Sequence, residues 1–394
     1  MTDLKDTQGA PFMRPVLNDI RHNPGAEMVR YARRRSDIIS LASGETDSPT
    51  PRFITDAVEG ALRDGKTFYG PILGNPDLRQ DIADSYQRLH DVTLPQERVI
   101  VTSSGTSAIH LSLLSTVEKG DEVVAVFPLW KNLLGAIRLQ EATVRGVDLT
   151  LDMGSGKWVL DLDRLFAEVT PKTRAIVLNS PNNPTGWVMP LEQMRAVMEF
   201  ARARGIWVIA DEVYERLTYD TQCAPSFLEV AEPEDRLFII NSFSKNWAMT
   251  GWRLGWMIGP AQAEPRIYDL VLYDNMGPPN FTQYGAMAAL KHGEDFVAEQ
   301  KTRFRKHEQI VHDALTRIGG IEAVRPESSF YAFFKSHREP DCMSFARRLI
   351  DEHGLGLAPG CAFGRNFNGY MRLCFAVSEP RLREALGRLE QALS

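Results

Sequence analysis

The chain has 394 residues, of which 43% are hydrophobic and 24% are charged, and its formal net charge is -6. That length favours two domains over one compact core, and the negative charge gives no electrostatic basis for binding nucleic acid or an anionic membrane. No apolar run approaches the roughly 20 residues that span a bilayer, and residues 1–14 lack the apolar core of a signal peptide. The cysteines show no CxxC spacing, which predicts reduced thiols (Cys223, Cys342, Cys361, Cys374). We therefore expect a cytoplasmic protein without nucleic-acid or membrane partners.

Short apolar runs rich in β-branched residues alternate with helical patterns between about residues 98 and 260. Each run is almost continuously apolar, as expected for a strand that is covered on both faces. Such alternation predicts a mostly parallel α/β sheet. The predicted strands are 98–102, 122–127, 175–178, 206–210, 237–240 and 254–258.

The pattern changes after about residue 283. A charged helical stretch over 284–315 predicts a connecting helix, and the remainder mixes short strands with helices, an α+β pattern. The last helix opens at Ser378 and carries one apolar stripe (Leu382, Leu386, Leu389, Leu393). We predict an N-terminal arm with part of the small domain at 1–43, a large α/β domain at 44–283, and the connecting helix with the small α+β domain at 284–394.

Polar or aromatic residues follow the predicted strands, at the edge of a parallel sheet where ligands gather. After strand 98–102 come Ser104, Gly105 and Thr106, small residues that open a helix. They form either an anion site or an ordinary N-cap. Strand 122–127 leads to Trp130, which is either a core residue or a flat surface for stacking a ring.

Two further strands end in side chains that suit a heterocyclic ligand. Strand 175–178 leads to Asn183, which precedes a proline; it marks either a turn or an extended amide donor. Strand 206–210 leads to Asp211 and Tyr214. An unpaired acid is costly to bury, so Asp211 is either a surface-loop acid or the partner of a protonated ring nitrogen.

Strand 237–240 runs into Ser242, Ser244 and Lys245, and Arg253 follows eight residues after the lysine. A deprotonated lysine forms Schiff bases, while serines and arginine bind phosphate. Together the strand ends supply what a pyridine ring with an aldehyde, a phenolate and a phosphate requires. They indicate a site for pyridoxal phosphate (PLP).

From about residue 37 to its C-terminus, the chain resembles the fold-type I PLP enzymes, specifically the class I/II aminotransferases of the aspartate aminotransferase superfamily. Segment 242–255 matches the family's lysine signature, and segments 183–186, 211–214 and 370–373 occur in the family's order. The resemblance implies a mostly parallel, seven-stranded large-domain sheet with a smaller α+β domain. It also implies PLP as cofactor and transfer of an amino group from an L-amino acid to a 2-oxo acid, with pyridoxamine phosphate as the intermediate.

The resemblance further implies a role for each matching residue. Lys245 forms the Schiff base and then acts as general base; we expect Arg253 to help lower its pKa. Asp211 pairs with the pyridine nitrogen, and Asn183 and Tyr214 bind the phenolate oxygen. Arg372 and Gly44 hold the substrate α-carboxylate. Trp130 stacks on the ring, and the phosphate is held by the remaining residues (Ser104, Gly105, Thr106, Ser242, Ser244, Arg253).

Tyr69 matches the tyrosine that the family lends to the phosphate of the neighbouring subunit, which implies a homodimer; a buried loop aromatic is the alternative. Thr106 stands where one subgroup carries a lysine for a distal carboxylate. Thr46 and Ser48 depart from the family pattern and predict altered specificity on the substrate side. Two other functions are compatible with these residues: a β-elimination lyase or synthase of the same fold, and a non-catalytic regulatory module.

Overall fold

The computed structural model describes residues 13–20, 23–152 and 154–394, so most of the stretch searched for a signal peptide and the start of the predicted arm lie outside the described residues. The strands are β1 (Ile39–Ser40), β2 (Val99–Thr102), β3 (Glu122–Phe127), β4 (Thr143–Asp148), β5 (Thr150–Asp152), β6 (Lys157–Val159), β7 (Thr173–Asn179), β8 (Trp207–Asp211), β9 (Leu237–Ser242), β10 (Gly255–Ile258), β11 (Ile321–Ala323), β12 (Tyr331–Ser336), β13 (Leu355–Gly356), β14 (Ala358–Pro359) and β15 (Tyr370–Cys374). The helices are α1 (Val16–Asp19), α2 (Pro24–Ala32), α3 (Arg52–Arg63), α4 (Pro76–His90), α5 (Gly105–Thr116), α6 (Lys131–Leu139), α7 (Leu162–Ala167), α8 (Leu191–Arg204), α9 (Phe243–Asn246), α10 (Glu264–Asp274), α11 (Asn280–His292), α12 (Glu294–Arg317), α13 (Cys342–His353) and α14 (Glu379–Leu393).

The large sheet has seven strands in the order β2-β10-β9-β8-β7-β3-β4. All run parallel except β10, which is antiparallel to both of its neighbours. The predicted mostly parallel sheet is confirmed. Because β10 runs in the opposite direction, its first residues lie at the edge where the other strands end. Residues preceding β10 can therefore share a site with residues that follow β2, β7, β8 and β9.

Strand β4 lies outside the predicted strands because it is an edge strand. It pairs with β3 alone, and most of its residues are exposed or half-buried. Its sequence, residues 143–148, mixes threonine, arginine, glycine and aspartate with two valines. The continuous apolar run that identifies a strand covered on both faces is therefore missing.

The predicted connecting helix over 284–315 consists of two helices, α11 and α12, which are separated at Gly293. A side chain at Gly293 would collide with the Ala289 carbonyl and the Trp247 ring. The backbone at the break between the two helices therefore lies directly against Trp247 of the large domain. Helix α11 packs on α3, whereas α12 packs on α14. The proposed domain boundaries at residues 43 and 283 stay predictions.

A second, antiparallel sheet has the order β11-β12-β15-β14, which confirms the smaller α+β unit. Strand β1 pairs in parallel with β13, so the N-terminal stretch joins the C-terminal part of the chain. Helix α14 follows Ser378, and its predicted leucine stripe is buried. Among the described residues, no helix combines the length and the apolar character needed to cross a membrane.

Candidate active site

A cavity of about 440 Å³ lies at the carboxyl edge of the large sheet and is also lined by residues of the small sheet and of α2. It brings together the ends of β7, β8 and β9, the start of α5, and Arg372 from β15. The structure thus gathers the predicted site residues in one place. All of them except Ser104 and Tyr69 line the cavity (Gly44, Gly105, Thr106, Trp130, Asn183, Asp211, Tyr214, Ser242, Ser244, Lys245, Arg253, Arg372).

Lys245 lies on α9, the short helix that follows β9, and its amine donates a hydrogen bond of 2.7 Å to the Gly44 carbonyl. Burial lowers the pKa of this amine to about 8, and the Arg372 charge acts in the same direction. From the sequence we expected Arg253 to be the cation that lowers this pKa; in the structure that cation is Arg372. An amine with such a pKa is partly unprotonated near neutral pH, as a nucleophile or general base must be.

Asp211 is the last residue of β8 and is 3% exposed. Burial raises the pKa of its carboxyl to about 7, although the Val213 N–H, at 3.3 Å, and the Lys245 charge oppose that rise. The Asn179 amide donates to the Asp211 backbone carbonyl at 2.9 Å and holds the strand end in place. A buried acid whose carboxylate accepts one weak hydrogen bond suits a protonated ring nitrogen.

Asn183 and Tyr214 supply donors on the same cavity. The Asn183 backbone N–H donates to Asn179 Oδ1 at 2.8 Å, and its side-chain oxygen accepts from Arg372 at 2.8 Å. The Asn183 amide nitrogen therefore stays available as a donor. The Tyr214 hydroxyl shares a 2.8 Å hydrogen bond with Tyr331, and burial raises the pKa of Tyr214, which keeps its proton in place.

The start of α5 and the approach to β10 form a cradle for an anion. Gly105 and Thr106 are the first residues of α5, and neither backbone N–H has an acceptor among the described residues. The Ser242 hydroxyl donates to Ser244 at 2.9 Å, and both serines line the cavity. Arg253 adds a cation and donates to the Thr250 carbonyl at 2.7 Å. Free N–H groups at a helix start, hydroxyls and a guanidinium together suit a phosphate.

Ser104 is oriented differently from its neighbours in the cradle. Its hydroxyl accepts the Ser107 N–H at 2.9 Å and lies 3.0 Å from the Ser107 hydroxyl. The side chain thus caps α5, as the N-cap alternative describes, and does not line the cavity.

Arg372 lies on β15 and reaches the cavity from the small sheet. Its Nη2 donates to the Ala42 carbonyl at 2.5 Å, and its guanidinium stacks on the Tyr331 ring at 4.4 Å and on Phe363 at 5.0 Å. Its Nε is buried and has no hydrogen-bond partner among the described residues. A buried, partnerless N–H on a cation is costly, so the site favours an incoming carboxylate.

Several lining residues were not predicted from the sequence. Tyr331 and Phe363 come from the small domain, Lys131 follows Trp130, and Asn23 and Gly25 come from the start of α2. They lie far apart in the chain, and no strand-end pattern marks them. Only Lys131, next to a residue already singled out, had a local signal.

Thr46 and Ser48 do not line the cavity, contrary to the expectation of a role in specificity. The Ser48 backbone N–H donates to the Thr46 hydroxyl at 3.2 Å, and the Ser48 hydroxyl contacts Arg303 of α12. These residues connect the loop before α3 to a helix of the C-terminal part.

Tyr69 is 81% exposed and lies outside the cavity, so it is not a buried loop aromatic. Phe68, at 81%, and Tyr273, at 84%, are equally exposed. Exposed aromatic side chains of this size are typical of surfaces that contact another protein.

The comparisons agree with this geometry. The family model "Aminotransferase class I and II" matches residues 36–389. A probable aspartate/prephenate aminotransferase from Aquifex aeolicus is 34% identical over 91% of this chain and 91% of its own length. The structure of the Thermus thermophilus aspartate aminotransferase with maleate superposes with a TM-score of 0.90 at 31% identity, covering 98% of this chain and all of that one. N-succinyldiaminopimelate aminotransferase from Mycobacterium tuberculosis superposes with a TM-score of 0.91 at 28% identity, covering 96% and 100%.

The donor set fits the cofactor of this family, PLP, because one cavity holds a buried acid, an amine of lowered pKa and an anion cradle. The relatives are named for transamination, so they do not favour the elimination or regulatory alternatives. The protein is a PLP-dependent enzyme that moves an amino group between an amino acid and a 2-oxo acid. The chain therefore belongs to the class I and II aminotransferases.

Proposed function

We propose that this cavity is the active site and that it has a cofactor end around Asp211 and a substrate end around Arg372. Lys245 lines the same cavity, and both Asp211 and Arg372 influence the pKa of its amine. The observation that carries the proposal is the buried Lys245 amine with its pKa of about 8. Such an amine can attack a carbonyl and, once released, accept a proton.

At the cofactor end, we assign Asp211 to the ring nitrogen of PLP, and Asn183 and Tyr214 to its phenolate oxygen. Trp130 is assigned to the ring face. The phosphate is assigned to the anion cradle, with Ser104 acting through the helix start that it caps (Gly105, Thr106, Ser242, Ser244, Arg253). When bound, PLP supplies an electron sink for the electron pair released at the substrate α-carbon.

At the substrate end, Arg372 binds the α-carboxylate, which then accepts the partnerless Nε–H. The Gly44 backbone lies beside this carboxylate, and its carbonyl holds the Lys245 amine at 2.7 Å. Lys245 Nζ takes the proton from the α-carbon of the amino acid. In the second half of the reaction a 2-oxo acid binds through Arg372, and Lys245 Nζ delivers a proton to its α-carbon.

Replacing Lys245 tests this assignment. We expect Lys245→Ala to lose the visible absorbance band of the holoenzyme and to lower turnover by several orders of magnitude. Lys172→Ala, which changes an exposed lysine remote from the cavity lining, serves as the control and keeps both properties. Turnover that survives in Lys245→Ala would reject the assignment.

We further propose that the substrates carry an acidic group at the far end of the side chain. The relatives named for aspartate support this proposal, and so does Lys131. Lys131 is half-buried where the cavity adjoins a second groove, and burial together with Arg138 lowers the pKa of its amine. A cation that is desolvated in this way gains from an anionic ligand. Lys131 thus supplies the positive charge for the distal carboxylate, a charge that Thr106 lacks.

The substrate proposal is tested by a panel of amino donors. We expect Lys131→Ala to lower kcat/KM for aspartate and glutamate roughly tenfold to a hundredfold, the range for losing one charge-assisted hydrogen bond, with little change for alanine. Lys131→Arg should retain the preference. An equal loss for acidic and neutral donors would contradict the role of Lys131 but leave transamination itself intact.

We also propose a homodimer in which the exposed Tyr69 reaches the phosphate of the neighbouring subunit. A mixture of Tyr69→Ala and Lys245→Ala chains tests it, because a mixed dimer would contain one site with both residues intact. The mixture should be more active than the mean of the two variants measured separately, and a fully active monomer would overturn the proposal. A cytoplasmic location is proposed as well, and the four free thiols support it.

A further inference from the structure

Tyr331 lies at the start of β12, where the two ends of the active site meet. It is fully buried, its hydroxyl shares the 2.8 Å hydrogen bond with Tyr214, and its ring lies under the Arg372 guanidinium at 4.4 Å. A side chain at Gly44 would collide with the Tyr331 hydroxyl, so the glycine leaves room for it. One side chain thus contacts the backbone and the guanidinium of the substrate end and the phenol of the cofactor end.

We propose that Tyr331 is a positioning residue: its hydroxyl donates to Tyr214, so that Tyr214 directs its own proton to the cofactor, and its ring holds Arg372 in place. This inference rests on the proposed function, because it assumes that Tyr214 serves the phenolate oxygen of PLP.

The direction of the hydrogen bond follows from counting protons. Within the described residues, each of the two hydroxyls has the other as its hydrogen-bond partner. Two hydroxyls carry two protons, and one hydrogen bond uses only one of them. Both tyrosines line the cavity, so the proton that is left over can face it from either hydroxyl. Under the proposed function, the phenolate oxygen of PLP is an acceptor at Tyr214. The left-over proton therefore belongs to Tyr214, and Tyr331 donates to Tyr214.

Accepting a proton also makes Tyr214 a better donor, because hydrogen bonds in a chain polarise one another. A stronger hydrogen bond to the phenolate favours the ionised ring oxygen. Tyr331 therefore acts on the cofactor through Tyr214. Its ring acts separately, because the contacts of the Arg372 guanidinium with the Tyr331 and Phe363 rings restrict its movement.

Tyr331→Phe separates the two effects, since it removes the hydroxyl and keeps the ring. We expect the pKa read from the pH titration of the holoenzyme's visible absorbance to rise by about half a unit to one unit. We expect kcat to fall roughly threefold to tenfold, the range for one hydrogen bond, with KM for the amino acid unchanged. Tyr331→Leu, which also removes the ring, should raise KM in addition.

Tyr219→Phe is the matched control. It removes another tyrosine hydroxyl, which donates to the Ser329 carbonyl at 2.7 Å and does not line the cavity. Its absorbance titration should equal that of the wild type. The double variant Tyr214→Phe/Tyr331→Phe should behave like Tyr214→Phe alone, because Tyr331 acts through Tyr214.

Additive effects in the double variant, or an unchanged titration in Tyr331→Phe, would overturn the inference. Failure of the proposed function has a different signature. In that case the wild-type holoenzyme itself lacks a titrating visible band, or Tyr214→Phe leaves the band unchanged.

Discussion

Asp211→Asn is expected to stabilise the protein without PLP and to abolish its function. The replacement keeps the shape of the side chain and an oxygen to accept the Val213 N–H, but it removes the charge. Burial raises the pKa of Asp211 from 3.8 to about 7. Ionising this group inside the apoenzyme therefore costs free energy, and bound PLP would offset that cost through its protonated ring nitrogen.

The size of the effect follows from the pKa difference. Because the pKa is raised in the folded state, the contribution of Asp211 to stability is fully present below the unfolded pKa and is lost as the pH rises through about 7. One pKa unit corresponds to about 1.4 kcal/mol. Relative to the fully protonated carboxyl at low pH, the free energy of unfolding therefore falls by about 4 kcal/mol at pH 8 and by about 1.5 kcal/mol at pH 5. Asp211→Asn should thus stabilise the apoenzyme by about 2–3 kcal/mol more at pH 8 than at pH 5.

Urea unfolding of the apoenzymes at pH 5 and pH 8, at equal protein concentrations, measures this difference. Asp163→Asn, at an exposed position on α7, is the control and should show no pH-dependent gain. With PLP added, the wild type should gain more stability than Asp211→Asn, because only the wild type has a carboxylate for the ring nitrogen. A stabilisation by Asp211→Asn that is equal at both pH values would refute the reasoning.

Three other substitutions have defined outcomes. Arg372→Lys replaces a planar guanidinium by a compact ammonium group and should lower kcat/KM roughly tenfold to a hundredfold, mainly through KM; an unchanged KM for the amino acid would contradict the role of Arg372 in binding the α-carboxylate. Ser104→Ala should lower the free energy of unfolding by about 1 kcal/mol through loss of the N-cap, with a smaller effect on PLP affinity than Arg253→Ala; the reverse order would make Ser104 a direct phosphate ligand. Gly44→Ala should lower the melting temperature and the activity together, because the added methyl group meets the Tyr331 hydroxyl, and Tyr331→Phe should restore part of both.

The cofactor end could be predicted from the sequence because its residues follow a local rule. Trp130, Asn183, Asp211 and Lys245 each come shortly after a nearly continuous apolar run, and parallel strands end at one edge. The rule needs no knowledge of how distant segments pack. It fails for Ser104 in detail, because the same residue type serves both as an N-cap and as a phosphate ligand, and only the Ser107 contact distinguishes the two.

The substrate end could not be predicted in the same way, apart from Gly44 and Arg372, which the family resemblance supplied. Tyr331 and Phe363 enter the cavity from the small sheet and the turn before β15, and Asn23 and Gly25 come from α2. Their positions depend on how the small domain packs on the large one. The break at Gly293 was missed for a related reason, since the helical pattern continues through it and the collision is with Trp247, which is distant in sequence.

This difference between the two ends bears on specificity. The cofactor end is built from strand ends within one sheet, so changing it disturbs buried elements such as β8, whose residues are almost all inaccessible. The distal part of the substrate end is built from side chains such as Lys131 and from α2, which is buried on one side only. Substitutions there change which side chain of the substrate is bound, and they leave the hydrogen bond between Tyr331 and Tyr214 intact. A change of amino donor should therefore require changes around Lys131 and α2, while the hydrogen bond between Tyr331 and Tyr214 keeps the chemistry constant.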